Sequence, residues 1–116
     1  METTVIINEQ HTLLEQQARI LNEKFGDFQR LLVPSEGWNK KERDHICDSL
    51  SGNVIFVSPI PGMIQRLAAD AAANAAESGH STALRTFVFS NDRREKKELP
   101  NGRIISVTAQ EGWYLE

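Results

Sequence analysis

The chain lacks most of what would assign it to a specialised class. Its single cysteine, Cys47, has no partner for a disulfide, so nothing points to an oxidising compartment. No apolar run approaches the ~20 residues that span a bilayer, and residues 1 to 7 lack the basic start and long apolar stretch of a signal peptide. An excess of Lys and Arg is missing too. The net charge is −3, against 13 basic and 16 acidic residues, which argues against a general nucleic-acid binder. Neither Gly-x-Gly-x-x-Gly nor Gly-x-x-x-x-Gly-Lys-[Ser/Thr] occurs, so dinucleotide and P-loop nucleotide binding have no motif behind them. His11, His45 and His80 share no metal-ligand spacing, and no metal or other cofactor is expected. There is no internal repeat and no low-complexity linker. These absences leave a cytoplasmic protein with no membrane segment as the expectation.

What is present suits one domain over residues 1–116: 40% hydrophobic residues can fill a core, and 25% charged residues is the globular average. Thr3 to Ile7 is short and β-branched, and reads as a first strand. Thr12-Leu13-Leu14-Glu15 has the form of a capping box. Leu14, Ala18, Leu21 and Phe25 follow at helical spacing up to Gly26, which predicts a helix over Leu13–Phe25. Phe28 to Val33 is a second strand. Asn39 and Glu42 repeat the capping logic before the apolar stripe of Ile46, Cys47 and Leu50. Val54 to Val57 is an unbroken apolar run, as expected for a central parallel strand covered on both faces. Pro61 opens an alanine-rich helix ending at Gly79, and Leu84 to Phe89 is a fourth strand. Arg93 to Leu99 and Arg103 to Ala109, joined by Pro100-Asn101-Gly102, predict a β-hairpin at the sheet edge. The order βαβαβαβ plus hairpin specifies an α/β fold: a Rossmann-like three-layer sandwich on a mostly parallel sheet. Trp113 and Tyr114 fall beyond the last strand, either packed back on the sheet or anchoring a homodimer.

In open α/β sheets, ligands bind beyond the carboxyl ends of the strands, where strand order reverses. That rule nominates Asn8 and His11 after the first strand, Ser58 and Gly62 after the third, and Ser90, Asn91 and Arg93 after the fourth. The bland alternative is that these residues only form turns and caps. Ser58-Pro59-Ile60-Pro61-Gly62 is stiffened by two prolines, and Gly62 leaves an amide to face an anion at a helix N-terminus. An unperturbed imidazole titrates near ~6.5, which makes His11 the candidate general acid or base. Arg93 offers a guanidinium to a phosphate. Asp92 to Glu98 carries four basic and three acidic residues, as a solvated hairpin strand does. Cys47 is expected in the core, as free cysteines usually are.

Asn8 and His11 after a short strand, a hydrophobic strand running into Ser58 to Gly62, and Phe89-Ser90 followed by Arg93 and the Leu99 to Gly102 turn together form a pattern. It resembles the small Rossmann-like domains associated with CRISPR defence, those of CARF type. The resemblance implies binding of cyclic oligonucleotides across a homodimer and, in some members, slow metal-independent cleavage. It would make Asn8, His11, Ser58, Ser90 and Arg93 functional. The expectation is therefore a binding domain for a phosphate-bearing small molecule or nucleotide, with weak metal-independent hydrolysis left open. A non-enzymatic protein–protein interaction module is the alternative.

Overall fold

The architecture is that of a computed structural model, which describes residues 2–78, 84–91, 95–107, 109 and 111–116. It is α/β, with a five-stranded sheet in the order β2-β1-β3-β4-β7. The elements of its parallel part are β1 (Thr3–Asn8), α1 (Glu15–Phe25), β2 (Gln29–Val33), α2 (Lys40–Ser49), β3 (Asn53–Phe56), α3 (Pro61–Ser78) and β4 (Arg85–Asn91). β1 pairs in parallel with β2 on one side and β3 on the other, and β3 pairs in parallel with β4. Beyond β4, β5 (Glu95–Glu98) and β6 (Ile104–Val107) form their own antiparallel ladder, and β7 (Trp113–Leu115) runs antiparallel to β4.

Strand alternation sends side chains of the central strands to opposite faces. Ile6, Val54 and Phe56 join Cys47 from α2 and Met63 and Leu67 from α3 in one buried cluster. Val5 and Ile55 join Leu21 from α1 and Phe89 in a second, with Phe25, Phe87 and Trp113 packed around it. The run Val54-Ile55-Phe56 has no exposed surface because both clusters claim it. Asn39 caps α2 as expected: its side chain accepts from Glu42 N–H at 2.8 Å, and Glu42 reaches back to Asn39 N–H.

Several expectations are corrected. α1 begins two residues after the expected Leu13. Its cap is Leu14, whose N–H donates to Gln17 Oε1 at 3.1 Å, so Gln17 plays the part given to Glu15 and frees the Thr12 hydroxyl. β3 ends at Phe56, because the N–H groups of Val57 and Ser58 both converge on Ile6 C=O (2.9 and 3.2 Å) and the ladder cannot continue. The hairpin is not the sheet edge. That place is taken by β7, whose register with Ser90 and Asn91 carries β4 two residues beyond Phe89. Trp113 thus packs back on the sheet, its ring edge-on to Phe89 at 6.3 Å. Gly79 and His80 lie outside the described residues.

Cys47 is buried, as expected for a core thiol, and that burial pushes its pKa up against the opposing charge of Arg66. Alkylation of the native protein by iodoacetamide should therefore run slower than in denaturant by roughly a hundredfold or more, since the reagent must wait for local opening. Equal rates would show that α2 does not cover the thiol.

Candidate functional site

After β1 the chain enters α1, which covers one face of the sheet; after β3 it enters α3, which covers the other. β1 and β3 are neighbours, so their carboxyl ends open a crevice between two connections that diverge. Asn8 and His11 stand on one lip and Ser58 on the other. Ser58 Oγ accepts a hydrogen bond from Asn8 N–H at 2.9 Å and lies 3.2 Å from His11 Nδ1. Asn8 makes the turn that presents the imidazole: its Oδ1 accepts from Gln10 N–H and its C=O from His11 N–H, both at 2.9 Å. Glu9 ties the neighbouring loop to this one through Ser35 N–H at 2.8 Å.

With Nδ1 committed to Ser58, His11 has Nε2 left for a ligand whichever of the two groups holds the shared proton. The imidazole borders a pocket of about 400 Å³ lined by Gln10, Thr12, Leu14, Gln17, Val57 and Trp113 as well. That volume lies at the low end of small-molecule sites, which run from ~300 to ~1,000 Å³. Gln17 is the buried polar residue of the lining, only 3% exposed. Trp113 closes the wall from the C-terminal strand. Its backbone N–H donates to Gln16 Oε1 and its indole N–H to Ala109 C=O, so both polar groups are satisfied and the ring is fixed.

The structure brings together three of the nominated residues, Asn8, His11 and Ser58. Ser90 and Asn91 instead fasten β4 to the C-terminal segment, Ser90 Oγ donating to the Glu116 carboxylate at 2.5 Å and Asn91 Nδ2 to Glu111 C=O at 3.1 Å. Gly62 opens α3 beside a separate cavity of about 230 Å³, shared with Arg43 and Arg66. The cations there are already engaged. Arg66 reaches Asp44, Asp48 and Asp70, Lys40 holds Asp44 at 2.7 Å, and Arg43 donates to Trp38 C=O. The Lys40 ammonium, hydrogen-bonded to Asp44, keeps that carboxyl below its ordinary range. Arg93, nominated for the phosphate, lies outside the described residues.

Sequence reading missed Gln17 and Trp113 as lining residues. The signal for Gln17 was its place three residues after Leu14, hidden by the more regular Thr12-to-Glu15 spacing. Trp113 gave none, because its position depends on β7 joining the sheet. Among the described residues, no group of three or more His, Cys, Asp or Glu could hold a metal ion, and no helix is long and apolar enough to cross a membrane. Comparison of the chain with family models, with curated proteins and with solved structures finds no match.

Proposed function

We propose that this is a Rossmann-like three-layer domain that binds a phosphate-bearing small molecule or nucleotide in the crevice between β1 and β3. The observation that carries the reading is the Asn8–Ser58–His11 cluster, hydrogen-bonded across two strand ends at the mouth of a pocket. Helices on both faces of a parallel sheet, with connections diverging at that point, are the setting in which such ligands bind. The N-terminus of α1 at the pocket wall adds partial positive charge for an anion. His11 is the group placed to move a proton, so any hydrolysis would pass through Nε2 and need no metal.

The test is a thermal-shift screen against nucleotides and sugar phosphates. A ligand at a hundredfold its Kd should stabilise the fold by about 2.7 kcal/mol. If a hydrolysed ligand emerges, His11→Ala should cut turnover by about 10²-fold or more with affinity nearly intact, and EDTA should change nothing. Silence across the whole screen would favour the interaction module.

A further inference from the structure

Gln17 is spent on one side only. Its Oε1 caps α1 by accepting from Leu14 N–H, which fixes the amide so that Nε2 is the group left over. Among the described residues no acceptor is bonded to that nitrogen, although the residue is 97% removed from solvent (3% exposed) and borders the pocket. That nitrogen is not sealed in the core, since among the described residues the buried side-chain atom without a partner is Thr86 Oγ1; it opens onto the pocket, where an acceptor on whatever fills the pocket can meet it. The neighbouring features narrow what that occupant is. Leu14, Val57 and Trp113 are the apolar members of the lining, beside Gln10, His11 and Thr12, and among the described residues no Lys or Arg belongs to it. A full charge seated there would be desolvated without a counter-charge. An uncharged acceptor would not, and the positive end of α1 favours an acceptor as well.

We infer that the inner wall of this pocket receives an uncharged planar ring bearing a carbonyl, held by a hydrogen bond from Gln17 Nε2 and by contact with the Trp113 indole. This rests on the nucleotide reading of the crevice and sharpens it: the base goes inward to Gln17, and the phosphate stays at the rim beside His11. Gln17 is then the specificity-determining donor. A pocket 400 Å³ in volume with an aromatic wall suits a nucleoside-sized group.

The probes are uridine and inosine, whose rings carry carbonyls and no charge. Trp38 packs on the opposite face of the sheet, so Trp38→Phe leaves Trp113 as the sole tryptophan reporter. Both nucleosides should quench its fluorescence saturably. Gln17→Glu keeps an oxygen to cap Leu14 but replaces the donor by a carboxylate, and should weaken that binding by roughly tenfold or more. A phenyl riboside, which has the sugar but no ring acceptor, should bind as poorly to the unaltered chain. That arm decides the matter even if the Gln17 variant does not fold. Equal binding of the phenyl riboside and uridine, or of uridine to Gln17→Glu and its parent, overturns the role of Gln17. If ribose 5-phosphate raises the melting temperature and the nucleosides do not bind, the inner-wall assignment falls and the phosphate reading survives. If nucleosides, ribose 5-phosphate and uridine monophosphate all fail, both fall together.

Discussion

Phe56→Ala should lower stability by about 3–5 kcal/mol, the usual cost of emptying an aromatic site in a packed core. The phenyl ring has no exposed surface and is packed in one cluster with Ile6, Val54, Met63 and Leu67. No neighbour can collapse freely into the void, because β3 is held by β1 on one side and β4 on the other. For a chain of this length the melting temperature should fall by roughly 10–20 °C, and the midpoint of urea unfolding should drop without a change of slope. Leu32→Ala supplies the contrast. Leu32 lies on edge strand β2 and is 55% exposed, so its loss should stay within about 0.5 kcal/mol. If Phe56→Ala melts within a degree or two of the parent, β3 is not the centre of this core.

That strand was the most legible element in the sequence, and the reason is physical. A central parallel strand must be apolar on both faces, so Val54-Ile55-Phe56 advertises itself without help from any distant residue. The Asn39–Glu42 cap was legible for the same reason, since its donors and acceptors lie three residues apart. The C-terminal region was not. Arg103 to Ala109 looks as strand-like as any edge strand, yet among the described residues β6 pairs with β5 alone while three residues at Trp113–Leu115 take the sheet edge. The outcome depends on pairing across the fold, which local pattern does not encode. The site divides in the same way. Asn8, His11 and Ser58 follow from the rule about strand ends, whereas Ser90 and Asn91 follow it in sequence but are drawn into the β4–β7 ladder. Gln17 required knowing that Leu14, and not Thr12, caps α1.

Gly52→Ala should be nearly as damaging as the loss of Phe56, although it adds one methyl group to a turn that the sequence marks only as Ser-Gly-Asn. Gly52 is buried and holds φ at +75°, where a side chain costs about 1–2 kcal/mol by itself. The added Cβ would stand 2.2 Å from the carbonyl oxygen of Glu2, so one backbone segment must move. That oxygen cannot move freely. It accepts from Asn53 N–H at 2.8 Å, the bond with which β3 starts its pairing beside β1, and Gly52 C=O in turn accepts from Arg85 N–H at 2.8 Å at the start of β4. The turn therefore sets the register of three adjacent strands at their amino ends. Forcing it open adds about 1–3 kcal/mol of displacement to the backbone strain, for a total of roughly 2–5 kcal/mol. Gly37 is the control. It also has positive φ (+76°) but nothing within 4 Å of an added Cβ, so Gly37→Ala should cost only the backbone share. Hydrogen exchange should locate the damage: in Gly52→Ala the amides of Asn53 and Arg85 should lose protection before those of β2, which the turn does not touch. Equal melting temperatures for the two alanine variants would mean that the contact with Glu2 is not what holds β1, β3 and β4 in register.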